Sequence, residues 1–214
     1  MVRWARLDSN QRATSYEPAA LPLSYRPARK AVCAKRGSDP AGFRVTDRMG
    51  TIEVILGDIT RIPADVIVNA ANQGLMGGGG VDGAIHRAGG PAIMEACRRI
   101  GHCSTGSAVI TTAGNLPATY VIHAVAPRYS GKPRDFLRGA YAASLALARN
   151  HELRTIAFPS LGTGAYGYPI DEAAPLAIAV ARQHLAEPTS LERIVFVTFS
   201  ERDLSAYRST LDAT

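Results

Sequence analysis

The sequence predicts an α/β domain with helices on both faces of a largely parallel or mixed sheet. Three observations carry that expectation. From Thr51 onward, short β-branched runs alternate with Ala-rich helical stretches. Two glycine-rich loops directly follow expected strands. This part of the chain is also electrically neutral, although the protein as a whole is basic.

Strands are expected at residues 51–56, 66–69, 108–112, 120–124, 155–158 and 194–199, where β-branched and aromatic residues cluster between turn formers. Helices are expected at residues 83–88, 91–100, 134–150, 170–186 and 202–211, with Pro91 suited to a first-turn position. In such folds ligands gather at the carboxyl ends of the strands, which directs attention to the loops that follow them.

The chain has 214 residues, 24 Lys+Arg against 18 Asp+Glu, and a formal charge of +6. Residues 1–48 hold ten basic and four acidic residues; residues 49–214 hold 14 of each. The entire excess lies in the first quarter, so a basic nucleic-acid-binding fold is disfavoured and nucleic acid is not an expected partner of the domain. Residues 1–48 show no sustained period and are interrupted by Pro18, Pro22, Pro27 and Pro40, so a disordered basic leader is expected there. A transit peptide is disfavoured by the four acidic residues and the prolines. Residues 7–27 resemble a segment that recurs ahead of unrelated reading frames, and Met49, just before the first strand, is read as an alternative start. The domain is expected to span residues 49–214. Three cysteines (Cys33, Cys97, Cys103) are too few for a disulfide framework, and no apolar run suits a membrane span or a secretory signal. A cytoplasmic location is the expectation.

Three post-strand loops carry the chemistry. The first strand runs into Gly57-Asp58-Ile59-Thr60. The second runs into Asn69-Ala70-Ala71-Asn72 and then Gly77-Gly78-Gly79-Gly80-Val81-Asp82-Gly83. The fifth runs into Ser160-Leu161-Gly162-Thr163-Gly164-Ala165-Tyr166-Gly167. Glycine lets backbone N–H groups converge on an anion, and a helix N-terminus behind such a loop adds a favourable dipole. Neither loop ends in Gly-Lys-Ser/Thr, which disfavours a triphosphate-hydrolysing loop. Neither matches the dinucleotide fingerprint with its acidic partner about 20 residues on. A diphosphate cradled between two neutral loops fits better than a pair of simple turns.

The run at residues 66–91 (VIVNAANQGLMGGGGVDGAIHRAGGP), with GDIT at 57–60, NLPATYVIHAV at 115–125 and FPSLGTGAYGYP at 158–169, resembles the MacroD-type macrodomains over residues 50–211. The resemblance implies a three-layer α/β/α fold with a mixed six-stranded sheet. It also implies ADP-ribose binding and hydrolysis of O-acetyl-ADP-ribose and of mono-ADP-ribosyl esters on acidic side chains, with ADP-ribosylated proteins as partners. No cofactor or metal is expected.

Position by position, the resemblance implies that Asp58 accepts from the adenine amine with the Ile59 backbone beside it. Phe199 would stack on the base, the alternative being a core phenylalanine. Gly79, Gly80 and Val81, together with Gly162, Thr163, Gly164 and Ala165, would line the diphosphate, and Tyr166 would close over the distal ribose. Asn72 and Asp82 match the pair at the cleaved ester. A carboxylate there can orient or deprotonate water, although the substrate's own phosphate is an alternative base and a helix N-cap an alternative role for Asp82. Asn69 is expected to brace the loop through bonds to backbone. His86, four residues after Asp82, is expected on the same helix face, supporting the aspartate or simply buried.

Gly162 stands where many relatives carry Ser, which leaves the backbone cradle intact. No Gln-Glu-Glu triplet follows the glycine run, so the glutamate chemistry of poly-ADP-ribose glycohydrolases is absent. Cys97, His102 and Cys103 offer only three ligands at a spacing that fits no standard closed zinc site. A non-catalytic ADP-ribose reader and an RNA-associated protein acting through the basic leader are the competing readings.

Overall fold

The computed structural model describes residues 50–130 and 135–213. The expected leader, Met49 and Cys33 lie outside the described residues. Six strands form one sheet: β1 (Thr51–Leu56), β2 (Ala64–Ala70), β3 (Ala108–Thr112), β4 (Ala118–Ala124), β5 (Thr155–Pro159) and β6 (Arg193–Thr198), in the order β1-β6-β5-β2-β4-β3. Every neighbouring pair is parallel except β3 with β4. The sheet is therefore mixed, as expected.

Strand alternation builds two cores from one sheet. Val66, Val68, Ile122, Ile156, Phe158, Ile194 and Phe196 face one side, where they pack with α3 (Asp135–Asn150), α4 (Ile170–Leu185) and α5 (Glu201–Asp212). The intervening Ile67, Val121, Ala157, Val195 and Val197 face the other side, with Ile85 of α1 (Gly80–Gly89) and Ile93 and Cys97 of α2 (Pro91–Ile100). A period of two with apolar residues at both phases is what a sheet covered on both faces requires. The result is the expected three-layer α/β/α sandwich. Phe158 and Phe196 are neighbours in register on β5 and β6, their rings stacked 5.7 Å apart. Each is fully buried, worth about 1.5–3 kcal/mol of transfer free energy.

Several boundaries differ from expectation, each for a local reason. β2 begins at Ala64 because the Asp65 carboxylate accepts from the backbone N–H groups of Arg154 and Thr155 at 2.8 and 2.9 Å, so a polar residue continues the strand. β6 ends at Thr198, which places Phe199 beyond the strand. α1 begins at Gly80 with Gly79 as its cap, so Asp82 lies inside the first turn and is not the N-cap. Pro91 does occupy the first turn of α2. No helix among the described residues is long and apolar enough to cross a membrane.

Candidate active site

Because β1, β6, β5 and β2 are adjacent and parallel, their carboxyl ends lie along one edge of the sheet. There the chain forms a cavity of about 750 Å³, within the usual range of about 300–1,000 Å³ for small-molecule sites. Asp58, Ile59, Asn72, Gly79, Gly80, Val81, Asp82, Gly162, Thr163, Gly164, Ala165, Tyr166 and Phe199 all line it. His86 and Asn69, also singled out from the sequence, are set behind the wall, against Asp82.

Asp58 caps the 3-10 turn Ile59–Arg61, its Oδ1 accepting from Thr60 Oγ1 at 2.7 Å and Thr60 N at 2.9 Å. Those bonds, the hydroxyl's first and the backbone N–H's second, hold its carboxyl below the ordinary value. Its Oδ2 lies 3.7 Å from the exposed Arg61 guanidinium, and the residue lines the cavity. Phe199 is 88% exposed. The core alternative for this ring is therefore overturned: with β6 ended at Thr198, its side chain has no layer to pack into.

Two backbone walls enclose the middle of the cavity. One is the start of α1, where Gly79 offers no side-chain cap to the first-turn N–H groups and Gly79, Gly80 and Val81 line the cavity. The other is the loop after β5. Gly162 holds φ at +81°, a left-handed conformation that glycine adopts at little cost. Thr163 Oγ1 donates to Ser160 O at 3.0 Å, pinning that turn. The Arg128 guanidinium lies 5.0 Å from the Tyr166 ring centroid, and Arg128 and Arg87 are cations of the lining that sequence reading did not pick out.

At the end near α1, Asn72 and Asp82 converge on Gly78. A Cβ on Gly78 would sit 3.1 Å from Asp82 Oδ2 and 3.9 Å from Asn72 Nδ2, so both side chains reach the same corner and a larger residue there would crowd Asp82. Asn72 Nδ2 also donates to Gly77 O at 2.8 Å and thereby braces the glycine loop. The sequence suggests that role for Asn69. Instead Asn69 is fully buried and its Nδ2 donates to Asp82 Oδ1 at 2.7 Å, a bond between side chains. The reason is strand phase: Asn69 shares the face of Ile67, which looks toward α1. His86 Nε2 lies 3.3 Å from the same Oδ1, the support expected from the i, i+4 spacing.

The cysteine–histidine triad read from sequence does not assemble: Cys97 and Cys103 are buried in the apolar core on the α1/α2 side, and His102 is exposed. The grouping within metal-ligand reach among the described residues is His86, Cys97 and His123. Burial, and secondarily the Asp82 charge, pushes the Cys97 thiol up to about 11. His123 has both ring nitrogens beside protein partners, Asn69 and Thr111. Cys97 is thus held as a thiol, and the His123 ring is committed to its protein partners.

Fold and cavity together define a three-layer α/β/α domain with a small-molecule site at its strand ends. The Macro domain family model matches residues 68–177, and the chain belongs to this family. It is 52% identical over 166 residues to an O-acetyl-ADP-ribose deacetylase of Klebsiella pneumoniae, covering 74% of this chain and 95% of that protein. A Macro domain-containing protein of Chlorobaculum tepidum is likewise 52% identical over 165 residues, covering 76% of this chain and 96% of that one. Among solved structures, the Oceanobacillus iheyensis macrodomain with ADP superposes with a TM-score of 0.74 at 40% identity, covering 79% of this chain and 93% of that one. The Trypanosoma brucei macrodomain in complex with ADP-ribose gives 0.72 at 39% identity, covering 75% and 68%.

Proposed function

We propose that this protein binds ADP-ribose and hydrolyses the ester at its distal ribose, in O-acetyl-ADP-ribose and in mono-ADP-ribosyl esters of Asp and Glu side chains, without a metal. The observation that carries this reading is the convergence of Asn72 and Asp82 on Gly78 inside the cavity. The names of the relatives, a deacetylase of O-acetyl-ADP-ribose and macrodomains solved with ADP and ADP-ribose, agree with it.

Asp58 accepts from the adenine amine, a pairing that a carboxylate favours and a carbonyl-bearing base would oppose. Phe199 stacks on the base, and the Ile59 backbone lies beside it. The diphosphate rests between the α1 N-terminus at Gly79, Gly80 and Val81 and the loop Gly162, Thr163, Gly164 and Ala165. Backbone N–H groups supply the donors there and the helix dipole favours the charge. Tyr166 covers the distal ribose and Asn72 hydrogen-bonds its hydroxyl. Asp82 Oδ2 takes a proton from water as the water oxygen bonds to the acyl carbon. The acyl–ribose C–O bond then breaks, the ribose oxygen recovers the proton, and ADP-ribose and the free acid leave.

Incubating O-acetyl-ADP-ribose with the protein in EDTA should release ADP-ribose and acetate in equal amounts. Tight ADP-ribose binding without release would return the protein to the reader class, and activity lost in EDTA and restored by a divalent cation would overturn metal independence. Phe199→Ala offers a separate check on the base site. Aromatic stacking on a base is worth about 1–3 kcal/mol, so calorimetric affinity for ADP-ribose should fall by about 5- to 150-fold. The thermal midpoint should hold, since the ring is 88% exposed. An unchanged affinity would remove Phe199 from the site.

A further inference from the structure

Behind Asp82 runs a line of buried polar side chains that the hydrolytic scheme does not use. Asn69 on β2 and His123 on β4 are register partners on the face toward α1 and α2, and Thr111 lies on β3 beyond them. All three are buried in an apolar layer, at 0%, 0% and 2% exposure. Groups so placed cost stability unless each donor finds an acceptor.

The protons can be assigned in order from the two ends. A carboxylate offers only acceptors, so the Asn69 atom 2.7 Å from Asp82 Oδ1 is its amide nitrogen. That nitrogen's second hydrogen faces His123 Nδ1 at 3.1 Å, so Nδ1 must be the bare, accepting nitrogen. The ring proton therefore sits on Nε2 and is donated to Thr111 Oγ1 at 2.8 Å. The Thr111 hydroxyl donates in turn to Thr112 O at 3.1 Å. The line thus ends on an obligatory acceptor at both sides, a carboxylate and a backbone carbonyl, and only one arrangement satisfies every link.

We infer that His123 is a positioning residue for the hydrolysis proposed above: as the Nε2–H tautomer set by Thr111, it fixes the Asn69 amide that anchors Asp82 Oδ1, leaving Oδ2 turned to the cavity at Gly78. Rotation of the Asn69 amide would place its oxygen against the carboxylate. A proton on His123 Nδ1 would set donor against donor. Either change lets the Asp82 carboxylate turn, and displacing a reacting group by about 1 Å can cost on the order of 100-fold in rate. The inference rests on the hydrolase reading, so its test has one readout with substrate and one without.

With O-acetyl-ADP-ribose, His123→Leu should lower kcat about 100-fold while KM and ADP-ribose affinity stay within about threefold, because the residue touches no substrate. His123→Asn carries an oxygen near the Nδ1 position and should restore kcat to within about tenfold of the parent. Thr111→Val, nearly isosteric, should cost about tenfold in kcat and keeps the test available if His123→Leu does not fold. Without substrate, long-range proton–nitrogen NMR of the folded chain should show His123 with its proton on Nε2, and Thr111→Val should shift that tautomer equilibrium. An Nδ1–H tautomer in the parent protein, or unchanged kcat in both His123→Leu and Thr111→Val, overturns the positioning role. A parent protein with the Nε2–H tautomer but no turnover overturns the hydrolase reading instead, and leaves the hydrogen-bond assignment standing.

Discussion

Asp82→Asn should lower kcat for O-acetyl-ADP-ribose by about 100- to 10,000-fold, the range supplied by a positioned general base. ADP-ribose affinity should be unchanged or tighter, because a carboxylate beside an anionic ligand is removed. The amide keeps an oxygen for Asn69 Nδ2 and His86 Nε2, which reach Asp82 Oδ1 at 2.7 and 3.3 Å. Stability should therefore hold if that oxygen takes the Oδ1 position. Asp82→Ala should lose the same activity and also about 1–3 kcal/mol of stability, since it leaves the buried Asn69 N–H without its acceptor. The pair of variants separates chemistry from scaffold: kcat falls in both, the denaturation midpoint falls in one. Steady-state kinetics with calorimetric ADP-ribose binding reads all of this. A loss of less than tenfold in Asp82→Asn would assign activation of water to the substrate's own phosphate.

The cavity was legible because its parts are local. Asp58, the Gly79–Gly80–Val81 stretch and residues 162–166 lie in the segments that run from a strand end into the next helix, where the glycine runs draw attention and the macrodomain resemblance names them. Asp82 and His86 needed one further step, a helical i, i+4 relation, and the structure places them 3.3 Å apart. What was illegible depended on sheet order. His123 stands in an apolar strand between Ile122 and Ala124, a signal that a buried imidazole was present. Its partners come from β2 and β3, 54 and 12 residues away, and only the β2-β4-β3 adjacency brings them together. Asn69 follows the same logic: an asparagine at a strand end suggests a loop brace, but strand phase turns it toward α1 and Asp82. The start of α1 differs from expectation because Asp is a favoured cap and glycine a poor helix former, whereas here Gly79 caps and Gly80 begins the helix. A Cβ on Gly83 would lie 2.5 Å from Gly78 O, so the loop packs down on this turn only because glycine is there.

The buried imidazole should also set how the fold responds to acid. Burial, with the nearby His86 adding to it, pushes His123 down to about 3 from an ordinary value of 6.5. In the native state the ring stays neutral through mild acid, while in the unfolded chain it takes up a proton below about pH 6.5. The unfolded state then binds more protons, so stability rises with pH between about 3 and 6.5 and falls as acid is added, by up to about 1.4 kcal/mol per pH unit. Lowering the pH from 6.5 to 5 should cost about 1.5 kcal/mol from this residue alone. His151 and His184, also lowered by burial, act in the same direction. The groups facing His123 are the Asn69 amide that links it to Asp82, the Thr111 hydroxyl at 2.8 Å, the His86 ring at 5.9 Å, and the neutral Cys97 thiol at 3.5 Å from Nε2. None is an anion in direct contact that would favour a charged ring. His123→Asn removes the titrating group, so its stability deficit at pH 7.5 should shrink steadily toward pH 5. Urea denaturation of both proteins at pH 7.5, 6 and 5 measures that gap. Parallel profiles would mean that the ring is already charged in the native fold, which the single-proton line from Asp82 to Thr112 does not permit.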